Sequence, residues 1–114
     1  MAFYEYTGAV RTKALVWKST GLGLQPIETW YDSGDGNFAG QKIKGRVVSG
    51  DFDDDGFKDD VAAMYDYGSS LTRTFVWKAQ GSCPTTCSFS SPQEWYYSGP
   101  GNFDAERVLS LIHI

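Results

Sequence analysis

Ten consecutive residues in the middle of the chain carry its densest charge. Residues 51–60 read Asp-Phe-Asp-Asp-Asp-Gly-Phe-Lys-Asp-Asp and hold six of the 14 acidic residues, with Lys58 as their one base. Two carboxylates about 4 Å apart repel by about 1 kcal/mol in water and by about 4 kcal/mol at an effective dielectric of 20. Lys58 cannot offset several such repulsions, whereas a divalent cation can. We therefore expect this loop to bind a metal ion.

The spacing of these carboxylates favours calcium. Side chains at loop positions one, three and five converge on one centre, and Gly56 at position six allows a sharp turn, as glycine does in the calcium loop of EF-hands. A shell of hard oxygen ligands suits calcium better than magnesium, which keeps its waters. The loop is not an EF-hand, because we expect strands rather than helices on both sides, and Asp54 should point to solvent. The predicted ligands are Asp51, Asp53, Asp55, the backbone carbonyl of Phe57 and Asp59, with Asp60 as the alternative final ligand.

The acidic loop lies in a chain that repeats itself. Residues 15–18 (LVWK) recur 60 positions later as residues 75–78 (FVWK), and residues 2–6 (AFYEY) recur 61 positions later as residues 63–67 (AMYDY). Matches in the same order with near-constant spacing indicate an internal repeat. A third pair lies 65 positions apart, so the second copy has extra residues: residues 30–31 and 33–38 match residues 95–96 and 98–103.

Each unit has the pattern of short strands joined by turns. We predict strands at residues 46–52, 61–67, 72–78 and 94–97, bounded by glycine-rich or acidic turns. Four short antiparallel strands in about 60 residues are the content of one propeller blade. The sequence therefore predicts an all-β fold, a fragment of a β-propeller made of four-stranded antiparallel blades, with the calcium loop between the first two strands.

Residues 50–61 resemble the FG-GAP/VCBS repeats, whose pattern is Gly-Asp-Phe-Asp-x-Asp-Gly followed by Asp-Asp and an apolar strand. Residues 65–68, 75–77 and 98–103 are also similar to that family. The resemblance implies an extracellular or cell-surface protein whose calcium sites lie in the hairpin between a blade's first two strands. It would put Asp51, Asp53, Asp55 and Asp59 in the ligand roles.

The repeat also predicts where the units begin and end. Residues 1–43 would be a partial blade without its first strand and calcium loop, residues 44–104 a complete blade, and residues 105–114 the start of the next one. Further blades of a parent chain are therefore expected partners. Residues 109–114 resemble the translated end of a sequencing-library adapter, and we predict that they are not native. His113, the single histidine, would then have no function.

Composition argues against several other classes of protein. The rest of the chain holds eight of the 14 acids and nine of the ten bases, so it has no basic footprint for nucleic acid. No stretch is apolar enough to span a bilayer, and residues 1–11 lack the apolar segment that is typical of a signal peptide. Neither a nucleophile elbow nor a phosphate-binding glycine loop is present, and the one carboxylate cluster is assigned to metal. We therefore predict a protein that is not an enzyme.

Two cysteines lie in the extra residues of the second repeat. We predict that Cys83 and Cys87 form a disulfide that pins this insertion, as in a secreted protein. Zinc is disfavoured, because no second ligand pair is available.

The aromatic residues suggest what the surface would bind. Trp17 and Trp77 occupy equivalent positions, and we predict that both pack between blades. Tyr31, Tyr96 and Tyr97 lie beside glycine-rich turns and are the predicted ligand contacts. We expect the module to recognise carbohydrate or a cell surface. The alternatives are an integrin-like protein adhesion module and an accessory region of a larger secreted hydrolase.

Overall fold

A computed structural model describes residues 1–6, 8, 10–43, 46–82 and 86–109 of the chain. The described part is all-β, and its sheets are antiparallel throughout. Two short 3₁₀ helices, Gly40–Lys42 and Ala105–Arg107, are its helical elements. The nine strands are β1 (Ala2–Tyr6), β2 (Arg11–Val16), β3 (Glu28–Asp32), β4 (Val47–Gly50), β5 (Asp60–Gly68), β6 (Leu71–Trp77), β7 (Ala79–Ser82), β8 (Thr86–Phe89) and β9 (Gln93–Tyr97).

The strands form two sheets and a hairpin. Sheet 1 has the order β1-β2-β3, sheet 2 has the order β4-β5-β6-β9, and β7 pairs with β8. Each of the four strands predicted for the second repeat is present in sheet 2 within one or two residues. The β7–β8 hairpin was not predicted. It occupies the extra residues of the second repeat, so β9 pairs with β6 across an insertion.

Both repeats use the same hydrogen bonds. Thr12 and Thr72, at equivalent positions, are fully buried. In each, the backbone N–H donates to a serine Oγ and the hydroxyl donates to a backbone carbonyl, which ties the last strand and the following turn to the middle strand. These bonds join Thr12 to Ser33 (2.9 Å) and Phe38 (2.7 Å) and join Thr72 to Ser98 (2.9 Å) and Phe103 (3.0 Å).

The hydrophobic core lies between the two sheets. Trp77 is fully buried and contacts the rings of Phe3, Tyr31 and Phe38 from the first repeat, with centroids 5.0, 5.8 and 5.7 Å away. Trp77 therefore packs between the two sheets, and its packing between propeller blades stays a prediction. Trp17 is 37% exposed, because among the described residues no second sheet covers that face of sheet 1, and its packing between blades also stays a prediction.

The described residues contain no helix of the length and apolarity that a membrane crossing requires.

The equivalence of the two tryptophans provides a matched test of the core. We expect Trp77→Ala to lower the free energy of unfolding by about 3–5 kcal/mol, because it removes a large buried side chain and leaves a cavity. Trp17→Ala should cost less than about 1 kcal/mol, since the side chain is already partly in water. Urea denaturation followed by tyrosine and tryptophan fluorescence measures both, and equal losses would contradict this account of the core.

Candidate metal centre

The acidic loop connects the first two strands of sheet 2. β4 ends at Gly50, β5 begins at Asp60, and these two residues are paired in the ladder. The loop therefore leaves and re-enters the sheet at one point, and the side chains at its two ends lie close together. The position between the first two strands of this sheet is the one that the sequence predicted.

The loop is folded by its own carboxylates. Asp51 accepts hydrogen bonds from the backbone N–H groups of Asp55 (3.0 Å) and Gly56 (2.8 Å), and Asp55 accepts one from Phe57 (2.8 Å). Aspartate commonly forms such turns with the backbone a few residues further on. Gly56 has φ of 93°, the left-handed conformation that glycine adopts at no steric cost.

Asp60 anchors the loop to the body of the protein. Its side chain is fully buried, and its two oxygens accept hydrogen bonds from three backbone N–H groups. One oxygen takes those of Phe52 (2.8 Å) and Asp53 (3.2 Å) at the start of the loop, and the other takes that of Ala79 (2.8 Å) at the start of β7. A buried carboxylate needs such donors to replace lost hydration. This anchoring role was not predicted from the sequence.

Three carboxylates converge at this anchor. Asp51, Asp53 and Asp60 each place one oxygen within 4.8 Å of the other two, and such a group could hold a metal ion. Asp60, the alternative final ligand, therefore belongs to the group. Asp54 is exposed, as predicted.

The remaining predicted ligands lie outside this group. The oxygens of Asp55 and Asp59 and the carbonyl of Phe57 are not part of the triad, and their ligand roles stay predictions. Asp59 lines a cleft between the two sheets together with Ser49 and Val61. One of its carboxylate oxygens is buried and has no hydrogen-bond partner among the described residues.

The electrostatics of the loop show the cost of gathering these charges. Burial raises the pKa of Asp53 above its ordinary value, and the carboxylates of Asp60, Asp55 and Asp51 raise it further. Burial likewise raises the pKa of Asp59, with a second contribution from Asp55. The ionised form of Asp53 is therefore disfavoured beside the other carboxylates. A donor set made only of carboxylate oxygens fits a hard divalent cation, which would reverse this effect.

The predicted ligand-contact residues are not in one place. Tyr31 is half-buried between the sheets, with its ring against Trp77, and burial raises the pKa of its hydroxyl. Tyr96 and Tyr97 lie on β9, the edge strand of sheet 2, and each is 48% exposed. Tyr96 lies opposite Thr74 and Tyr97 opposite Arg73, so the two rings are on opposite faces of the sheet.

Sequence reasoning missed a polar and aromatic cluster on the Tyr97 face. Arg73 lies over the rings of Tyr67 and Tyr97, at 5.2 and 4.8 Å from their centroids, and its guanidinium bonds to Glu94 at 3.1 Å. The alternation of residues along β5 and β6 would have put Tyr67 and Arg73 on one face. Their proximity to Glu94 and Tyr97 depends on β9 pairing with β6 across the insertion.

The predicted disulfide lies partly outside the described residues. Cys87 is buried in β8, whereas Cys83 is not among the residues that the structure describes. The pairing stays a prediction.

Comparison of the chain with protein-family models, with curated proteins and with solved structures gave no match. Its class is therefore defined by its own geometry, an antiparallel all-β protein with a three-carboxylate group at one hairpin.

The anchoring role of Asp60 can be separated from any role in binding metal. We expect Asp60→Asn to lower the free energy of unfolding by about 1–3 kcal/mol in EDTA, because one amide oxygen cannot accept from donors on two sides. Asp54→Asn is the control, since Asp54 is exposed and asparagine tolerates its positive φ of 61°. Urea denaturation without metal measures both, and an Asp60→Asn protein as stable as the control would contradict the anchor.

Proposed function

We propose that this chain is a calcium-binding β-repeat module of propeller type that recognises extracellular ligands and catalyses no reaction. The observation that carries the proposal is the meeting of Asp51, Asp53 and Asp60 within 4.8 Å at the hairpin of a four-stranded antiparallel sheet. The resemblance of residues 50–61 to FG-GAP/VCBS repeats supports the same conclusion. An extracellular location, where calcium is abundant, accompanies this proposal.

The role of the ion is structural. The loop places three carboxylates together and raises the pKa of Asp53, so the loop without metal is opposed by its own charge. A bound divalent cation offsets that repulsion and holds the hairpin in one conformation. Asp51, Asp53 and Asp60 would hold the ion, and Asp55, the carbonyl of Phe57 and Asp59 are the further candidates.

Calcium should therefore stabilise the fold through this loop. At a calcium concentration about 100 times the Kd, we expect the free energy of unfolding to rise by about 2.7 kcal/mol, and magnesium to have less effect. Asp53→Asn should lose this response, whereas Asp54→Asn should keep it. Calcium affinity should fall as the pH falls towards the raised pKa of Asp53, because a proton on that carboxylate competes with the ion.

Thermal unfolding and calorimetric titration measure this prediction. An Asp53→Asn protein with the full calcium response would contradict the assignment of the site, and an unchanged wild-type protein would contradict a calcium site altogether.

Carbohydrate is the ligand class that the surface supports best. The cluster of Tyr67, Arg73, Glu94 and Tyr97 combines two aromatic rings, 44% and 48% exposed, with a paired cation and carboxylate. Aromatic faces stack on the apolar faces of sugar rings, while arginine and glutamate bond to hydroxyl groups. One guanidinium nitrogen of Arg73, Nε, is buried without a partner among the described residues.

Glycan binding tests this part of the proposal. We expect the calcium-loaded protein to bind a subset of glycans on an array, and Tyr97→Ala to weaken that binding by roughly tenfold or more through loss of the stacking surface. Leu22→Ala is the control: Leu22 lies in an exposed loop of the first repeat, outside the cluster, and this variant should bind as the wild type does. Binding that survives in Tyr97→Ala would remove this cluster from the proposal. No bound glycan, with capture of an extracellular protein instead, would favour the adhesion alternative.

A further inference from the structure

The contact between the two sheets has a projecting side and a receiving side. Tyr65 of sheet 2 projects towards the turn after β3. Its hydroxyl accepts a hydrogen bond from the backbone N–H of Ala39 (3.2 Å), its ring lies 4.7 Å from that of Phe38, and the ammonium of Lys42 lies 5.8 Å from its centroid. Trp77 projects beside it and is contacted by Phe38. We call this contact the internal interface.

Sheet 1 carries the same projecting side, which no second sheet covers among the described residues. Tyr4 is the repeat equivalent of Tyr65, and Trp17 is that of Trp77. Tyr65 is 7% exposed and Tyr4 is 53% exposed, while Trp77 is 0% exposed and Trp17 is 37% exposed. The residue types are the same, so the difference comes from the presence or absence of a neighbouring sheet. We call the surface around Tyr4 and Trp17 the front face.

The second repeat carries the same receiving side, and no other described sheet packs onto it. Phe103, Asp104 and Arg107 are the equivalents of Phe38, Ala39 and Lys42. The backbone is alike in both places, since each turn leads into a 3₁₀ helix closed by two bonds of 3.0–3.1 Å. Here the receiving position is a pocket of about 450 Å³ that these three residues line together with four others, and the Arg107 side chain is 88% exposed. We call this surface the back face.

We propose that the front face of one copy of this chain binds the back face of a second copy, in the geometry of the internal interface. Tyr4 of one copy fills the pocket of the other, with its hydroxyl near the backbone N–H of Asp104 and its ring under Arg107. The pairing of a cation with an aromatic ring is thereby kept, with arginine in place of lysine.

The similarity between the internal interface and the proposed contact extends beyond the pocket. Tyr31 lies against Trp77 in the internal interface, and its equivalent Tyr96 is 48% exposed on the back face. Stacking two copies brings Tyr96 against Trp17 in the same way. Two large aromatic side chains that now contact water are then buried together, which supplies the driving force.

The occupant is a second copy because the internal interface already shows this pair of surfaces in contact. The front and back faces differ, so the contact is heterologous, and each dimer keeps one free front face and one free back face. Association should therefore continue past the dimer as the concentration rises. The contact between copies uses the repeated surfaces and none of the residues of the acidic loop, so it is independent of calcium binding.

Sedimentation velocity of the 114-residue chain over a range of concentrations tests the proposal. We expect the average mass to rise with concentration for the wild-type protein. Tyr4→Lys breaks the front face and places an ammonium against Arg107, and Arg107→Glu breaks the back face. Each should weaken association by roughly tenfold or more, as for an aromatic or arginine anchor.

Mixing the two variants gives the decisive measurement. The Tyr4→Lys protein keeps an intact back face and the Arg107→Glu protein keeps an intact front face, so the mixture should form dimers that neither variant forms alone at the same concentration. Leu22→Lys, which adds the same charge at an exposed loop position, should associate as the wild type does.

Circular dichroism and thermal unfolding establish that each variant is folded before it is compared. A folded wild-type chain that stays monomeric at every concentration, variants that associate normally, or a mixture that stays monomeric would each overturn the proposal. The experiment contains no glycan, and its outcome is independent of the glycan and calcium measurements.

Discussion

The buried carboxylate of Asp60 is the interaction on which the arrangement of the acidic loop depends. Its three backbone donors come from two separate places, the start of the loop and the start of β7. The loop, the sheet and the β7–β8 hairpin are therefore tied at one residue. The same residue gives the loop its electrostatic problem, because it holds a charge close to Asp51 and Asp53. The hydrogen bonds of Asp60 therefore hold three carboxylates near one another, whereas in a solvated acidic turn they could move apart.

The second organising feature is the repeat, which is present in the bonding as well as in the sequence. Thr12 and Thr72 make the same two side-chain contacts, and both sheets shift register at equivalent positions, between Ala14 and Leu15 and between Thr74 and Phe75. A β-bulge conserved between two copies of one unit indicates that the local twist is part of the design of that unit. The two copies differ in which of their faces another sheet covers, so equivalent residues such as Trp17 and Trp77 differ in exposure.

Local features of this fold could be predicted from the sequence, and features that depend on neighbours could not. Alternation, turn residues and internal repetition located the strands of sheet 2, and the aspartate spacing located the loop. Alternation also assigns Trp17 and Trp77 identical positions, yet only the second is buried, because burial requires a facing sheet. The role of Asp60 was missed for a similar reason. Its donor Ala79 belongs to a hairpin that the repeat pattern treats as an insertion, so no local rule connects the two.

The β7–β8 hairpin has a mechanical consequence. Phe89 near its end packs edge-on against Trp30, with centroids 5.1 Å apart, so an insertion in the second repeat grips the edge strand of the first. The equivalent tryptophan, Trp95, lacks this grip and is 50% exposed. Sliding one sheet along the other would break this contact between Phe89 and Trp30, so the hairpin opposes that motion. Two sheets that packed only through their facing side chains would slide under a pulling force more readily than two sheets that also contact each other at an edge strand.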